Sequence, residues 1–259
     1  MRALLAAAVF WIPLLAAPPD LRTAKIVDLS HPFDERTLYW PTSPTSFALK
    51  SLASGMTEGG FFYSANSFCT PEHGGTHLDA PVHFAAKGQA ADQIPLRRLV
   101  APAVVVDVRE AAAGNADYRL RVADLDAWER RHGKIPAGSI VLLRTGWSSR
   151  WPDRKRYFGD DTPGDASRLH FPSYGVEAAQ RLVRDRRVAA LGVDTASIDY
   201  GPSNDYPVHR VAAAADVPGL ENLTGLDQLP ETGAWIIALP MKIKGGSGGP
   251  LRAIALLPD

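Results

Sequence analysis

Apolar residues along this chain fall mainly into short runs bounded by Gly, Pro or Asp, with few stretches of helical period. VVVDV at 104–108, IVLLRTGW at 140–147, VAALGVDTASI at 188–198 and AWIIALP at 234–240 are such runs. Their near-continuous apolar character fits strands covered on both faces. Lys25 to Ser30 alternates apolar and polar positions and stops at His31-Pro32, which predicts an opening strand. FFYSANSFCT at 61–70 is aromatic and β-prone and predicts another, with Phe61, Phe62 and Tyr63 expected in strand core. Two segments have the helical period. Val122 to Arg131 sets Leu125 and Trp128 one turn apart and ends before Gly133. Residues 175–187 begin after Pro172-Ser173 and place Val176, Ala179, Leu182 and Val183 on one stripe. The pattern predicts a single α/β domain rich in strands, without repeats or internal linkers.

Composition narrows the function classes. The 259 residues are 46% hydrophobic and 22% charged, which excludes a mostly disordered chain. Lys and Arg number 28 and Asp and Glu 28, so no basic excess supports nucleic acid or an anionic membrane as a partner. The 22 glycines and 21 prolines point to shaped loops. Cys69 is the single cysteine and can form no intramolecular disulfide. At the start, Arg2 precedes the apolar run ALLAAAVFWIPLLAA, followed by Pro18-Pro19-Asp20. That layout predicts a secretory signal peptide over residues 1–20, a folded part over 21–259, and an exported protein, periplasmic or secreted. The alternative, a buried N-terminal helix, is weakened by Pro13 within the run. No other segment is long and apolar enough to span a membrane.

The chemistry concentrates in residues 72–84, EHGGTHLDAPVHF, where three of the chain's seven histidines lie within eleven residues. Imidazole and carboxylate together suit a borderline divalent cation. His73 and His77 have helical spacing, but Gly74 and Gly75 between them favour a folded-back loop, in which His73, His77 and Asp79 can converge. The alternatives are a solvated loop or a structural metal site, although structural zinc sites lean on cysteine and only Cys69 is near.

HGGTHLDAPVHF resembles the signature of the metal-dependent cyclase superfamily, which includes bacterial-type kynurenine formamidases and isatin hydrolases. Further pieces follow in the family's order: the Trp40-Pro41 loop, GVDTASID at 192–199, YPVH at 206–209, LEN at 220–222 and GGSGGP at 245–250. CTPEHGGTH and GGSGGP are closer to the isatin hydrolase branch. The resemblance implies a strand-rich swivelling β/β/α domain with flanking helices, assembled as a homodimer or higher homo-oligomer. It implies His73, His77 and Asp79 as ligands of a divalent metal, Mn or Zn, and His83 as the acid/base. His209 and Glu221 match the later His and Glu that complete the site or hold a second ion. Formamidases often carry a second histidine where Arg210 stands, so one ion is expected here and two remain open.

Physically, His83 has the pKa range to shuttle a proton, or else is simply a buried histidine. Glu221, between Leu220 and Leu223, is either near the metal or a capping or surface group. Trp40 reads as a lid over a flat substrate or as core, and His170 as a substrate contact or a support behind the ligands. GGSGGP can offer backbone N–H groups or be a plain turn. Asp194 and Asp199 receive no role from spacing, and His31 and His132 read as turn and surface residues. The expected activity is hydrolysis of the C–N bond of a small aromatic amide by a hydroxide activated on the cation, with His83 moving the proton. Two substrates compete, a cyclic amide such as isatin and an aryl formamide such as N-formylkynurenine. The rivals are an exported protein that binds metal or a small molecule without catalysis, and a purely structural metal loop.

Overall fold

The computed structural model describes residues 18–258, so the signal peptide expected over 1–20 lies outside the described residues up to position 17. In chain order, β1 (Lys25–Asp28) is followed by β2 (Ala48–Met56), β3 (Phe62–Cys69) and β4 (His77–Asp79). Next come α1 (Leu96–Leu99), β5 (Val100–Asp107), α2 (Arg109–Gly114), β6 (Arg119–Leu120), α3 (Val122–His132) and β7 (Ile140–Arg144). The second half holds α4 (Arg154–Phe158), β8 (Ser173–Tyr174), α5 (Val176–Gln180), β9 (Ala190–Val193) and α6 (Pro207–Ala213). The chain ends with β10 (Gly219–Glu221), β11 (Trp235–Pro240) and β12 (Gly248–Leu257).

β5, β7, β9 and β10 pair in parallel in that order. β4 joins β10 antiparallel, β12 joins β4, and β11 lies between β12 and β5, which closes the sheet into a barrel-like ring. β1 lies along the far end of β12. The result is a mixed α/β, strand-rich molecule with few helices, as the sequence pattern predicts.

Both faces of β5 and β7 are covered, which is why their sequences read as unbroken apolar runs. Val105, Leu142, Leu78, Leu220 and Ile236 fill the ring. Val104, Val106, Val141 and Leu143 face outward against Leu125 and Trp128 of α3 and Ala178 and Ala179 of α5. The Trp128 indole also donates to the Val105 carbonyl, satisfying its one polar atom. The helical stripe at 175–187 is divided: α5 ends at Gln180 and passes into a wider turn over Arg181–Asp185.

Two expectations need correction. The strand over 62–69 exists, but among the described residues it pairs only with β2 in a two-stranded arm, and Phe61, Phe62 and Tyr63 are 61%, 63% and 52% exposed. Aromatic β-propensity marks what can form a strand, not what covers it. Within 188–198 only Ala190–Val193 is strand, because the chain leaves the sheet at Asp194 and runs past the site.

Candidate metal centre

β4 is three residues long and flanked by β10 and β12, so its pleat decides where the chemistry goes. Leu78 points into the ring, and alternation sends His77 and Asp79 to the outer face. Glu221 stands directly opposite His77 in the register, which puts it on that face too. α6 supplies His209, and the loop before β4 supplies His73. That loop folds back as predicted. Gly74 and Gly75 have φ of 146° and 57°, and a Cβ on Gly75 would lie 2.5 Å from Cζ of Phe33.

The donors converge. His73 Nδ1 is 2.6 Å from Asp79 Oδ1, and His77 Nε2 is 3.1 Å from the same oxygen and 3.5 Å from Glu221 Oε2. His209 Nε2 is 2.9 Å from Asp79 Oδ2 and 3.1 Å from Glu221 Oε1. His77, Asp79, His209 and Glu221 are each no more than 6% exposed. Among the described residues, two groups offer ligand atoms within 4.8 Å of one another: His77, Asp79 and Glu221, and His73, Asp79 and His83.

The outer nitrogen of each imidazole has its own partner. His77 Nδ1–H donates to the Gly75 carbonyl at 2.9 Å, and His209 Nδ1–H to Asp199 Oδ2 at 2.7 Å. His73 Nε2 lies 2.8 Å from Ser247 Oγ, whose hydroxyl donates to Glu72 Oε2 at 2.5 Å. With that proton committed, Ser247 accepts from His73 Nε2–H. Neutral, all three imidazoles therefore turn a lone pair towards carboxylate oxygens. That arrangement needs positive charge in its middle, and a divalent cation fits the donor set.

Electrostatics agree. Burial would raise the Asp79 carboxyl, but His73 and His77, with a hydrogen bond from His209, hold it well below the usual carboxylate range. Burial lowers the His77 imidazole, yet Asp79 and Glu221 outweigh it and bring it up to about 9. His209 is likewise drawn well upward against burial by Asp199, Asp79 and Glu221. His83 behaves oppositely. Its ring stacks on His73 with centroids 3.8 Å apart, and the surrounding protein lowers it to about 4.

A cavity of about 330 Å³ opens above these groups, walled by Leu38, Trp40, Phe84, Phe158 and Tyr206. Trp40 lines the cavity and also packs on the core, meeting Phe158 and Phe171 edge-on at 6.4 and 6.3 Å. His170 is not brought to this cavity. Its ring turns to the surface, 2.9 Å from an Asp117 oxygen, while its backbone packs beneath Gly159 and Gly201. His31 is more enclosed than a turn residue, stacked 4.2 Å from Trp151, and burial lowers it to about 4. His132 meets the Trp128 ring at a tilt, with centroids 4.7 Å apart, and pairs with Glu231.

GGSGGP is more than a turn, since it carries Ser247 over His73. A Cβ on Gly248 would lie 2.5 Å from the Leu78 carbonyl and 2.7 Å from His73 Cε1. Asp199, without a role from spacing, accepts from Val208 N and His209 N as well as from the His209 ring. Glu72, Phe84 and Tyr206 also went unrecognised. A proline after Tyr206 marks a helix start, but nothing local aims these side chains at the cavity.

The family described as putative cyclase matches residues 27–200, and the chain belongs to it. Among its relatives, the isatin hydrolase of Roseibium aggregatum is 33% identical over 207 residues, covering 77% of each chain. The kynurenine formamidase of Sphingopyxis alaskensis is 32% identical over 232 residues, 89% of this chain and 97% of its own. Among solved structures, isatin hydrolase A from Ralstonia solanacearum matches with a TM-score of 0.81 at 36% identity, over 91% of this chain and 93% of that one.

Proposed function

We propose that this chain is a metal-dependent hydrolase that cleaves the C–N bond of an amide carried on an aromatic substrate. The observation that carries the reading is the convergence of imidazole lone pairs and the Asp79 and Glu221 carboxylates beneath an aromatic-walled cavity. His73, His77 and Asp79 would hold the ion, with His209 and Glu221 beside it. A borderline cation such as Mn²⁺ or Zn²⁺ suits that donor set. Such an ion, when bound, polarises a carbonyl and makes water acidic enough to serve as a nucleophile near neutral pH.

The protein groups supply the rest. Trp40, Phe84 and Tyr206 offer flat faces for an aromatic ring and keep bulk water from the carbonyl. His83 lines the same cavity and is neutral at pH 7, so a ring nitrogen can take the proton of the attacking water and return it to the departing nitrogen. Ser247 and Asp199 accept from His73 and His209 and so fix the tautomers in which their other ring nitrogens would be free to hold an ion. A cyclic amide of the isatin kind is favoured over an aryl formamide, because the isatin-like segments at 69–77 and 245–250 are the ones joined through Glu72, Ser247 and His73. The leader-like residues 1–20 support an exported enzyme.

The test is hydrolysis of isatin and of N-formylkynurenine by the metal-loaded protein and by His83→Ala. The expected result is ring opening of isatin, falling by about 10²–10⁴ in His83→Ala with the ion retained. Turnover of the formamide alone would overturn the substrate assignment, and turnover of neither would leave only the reaction class standing. An unimpaired His83→Ala would remove that imidazole from the mechanism.

A further inference from the structure

Asn222 directly follows Glu221, lines the cavity and is 4% exposed. Its φ is 54°, a left-handed conformation that Asn adopts more readily than most side chains. Its N–H donates to the Thr195 carbonyl at 2.8 Å, and its carbonyl accepts from the Thr76 hydroxyl at 2.7 Å. The side chain donates from Nδ2 to the Gly75 carbonyl at 2.7 Å, and Oδ1 accepts from the Tyr157 hydroxyl at 2.9 Å. The Gly75 oxygen can only accept, so the amide nitrogen must be the atom that faces it. Burial, with the carboxylates of Asp194 and Glu221, keeps the Tyr157 phenol well above its usual range, so that hydroxyl remains a donor to Oδ1. The same Gly75 oxygen accepts from His77 Nδ1–H at 2.9 Å. Its two lone pairs are therefore divided between Asn222 and the imidazole.

We infer that Asn222 is a positioning residue for His77: it clamps the Gly75 carbonyl, and that carbonyl fixes the imidazole's orientation with its proton on Nδ1, leaving Nε2 for a cation. The inference rests on the reading of His77 as a metal ligand. The clamp has something to restrain, because the carbonyl belongs to the second of two glycines and its peptide is freer to rotate than any other beside the ligands. The requirements also select the residue type. The position needs a left-handed backbone, a donor towards Gly75 and an acceptor towards Tyr157. Asp would set a carboxylate oxygen against a carbonyl oxygen, and Gly offers neither group, whereas Asn meets all three conditions. Tyr157 holds the far end of the amide, so its hydroxyl supports Asn222 without touching the Gly75 bond. Removing that hydroxyl leaves a buried acceptor unpaired and costs stability, but gives the amide no reason to turn its oxygen towards Gly75.

The experiment compares wild type, Asn222→Gly and Tyr157→Phe by thermal melts, by calorimetric titration with Zn²⁺, and by nitrogen-15 spectra of the histidine rings in the Zn²⁺-loaded proteins. Both variants are expected to melt below wild type. Asn222→Gly is expected to bind Zn²⁺ about 10–100-fold more weakly, while Tyr157→Phe stays close to wild type. The His77 Nδ1–H is expected to exchange slowly in wild type and Tyr157→Phe, and about tenfold faster or more in Asn222→Gly. Wild-type affinity in Asn222→Gly, or an equal loss in both variants, overturns the inference, since a merely structural amide would act alike from either end. Should Asn222→Gly fail to fold, the wild-type ring decides: a slowly exchanging proton on Nδ1 sustains the inference, and a proton on Nε2 overturns it. A wild type that takes up no Zn²⁺ removes the metal reading and this inference with it. Uptake without amide hydrolysis overturns the proposed reaction and leaves the positioning role to be decided by the same titrations and spectra.

Discussion

At the scale of single residues, the site depends on very small groups in the right places. Gly248 is the clearest case, because a methyl there meets both the Leu78 carbonyl of the adjacent strand and the His73 ring. Strain of that kind costs about 1–3 kcal/mol, and part of it falls on the imidazole, which can move more readily than the backbone. Gly248→Ala is therefore expected to lower the melting temperature and to weaken divalent-ion binding by about tenfold, or 1.4 kcal/mol, in a calorimetric titration. Unchanged affinity would show that His73 is not a ligand. His73, His77, Asp79 and His83 were legible because one short segment, from the loop before β4 to the turn after it, carries all four, and the two glycines announce its fold-back. Ser247 and Glu72 were not, since they reach His73 only after β12 has paired with β4. His170 sits before Pro172 like a site residue, yet nothing in its neighbours reveals that its ring turns outward to Asp117.

At the scale of elements, α6 is held by one carboxylate. Asp199 accepts from two first-turn amides and from the His209 ring, so it both starts the helix and orients a donor. Asp199→Ala should lose about 1 kcal/mol of stability for the cap. It should also lose 10–100-fold in metal affinity, the usual effect of removing a ligand's supporting partner. Asp199→Asn keeps an acceptor for the helix and should recover more of the stability than of the affinity. Equal recovery of both, read by thermal melts and metal titration, would mean that Asp199 acts through the helix alone. The runs that became β5, β7 and β11 were legible in the sequence because both their faces are buried. The arm strand was legible too, but its burial was not, because propensity is local and covering is not.

At the scale of the molecule, closure of the ring brings positions 77, 79 and 221 together, and the outer helices clamp it. Glu129 on α3 accepts from Arg186 and Arg181 beyond α5 and from the Ile135 amide. Burial would raise its carboxyl, but these partners lower it from 4.5 to about 2. A lowered folded-state pKa adds stability that is complete above the unfolded value and is lost as pH falls from about 4.5 towards 2. Urea unfolding should therefore show wild type more stable than Glu129→Gln at pH 6, with the gap narrowing below pH 4.5. A gap independent of pH would contradict the assignment. The order of strands around the ring was not readable in advance, because β4 is only three residues long and its pairing with β10 and β12 spans more than half the chain. The central claim is that His73, His77 and Asp79 grip a divalent cation in that setting. Elemental analysis of the purified protein beside Asp79→Ala tests it most directly. About one tightly held ion per chain is expected in the wild type, and almost none in a variant that keeps its circular dichroism spectrum. Equal metal content in the two proteins, or none in either after exposure to Mn²⁺ and Zn²⁺, would contradict it.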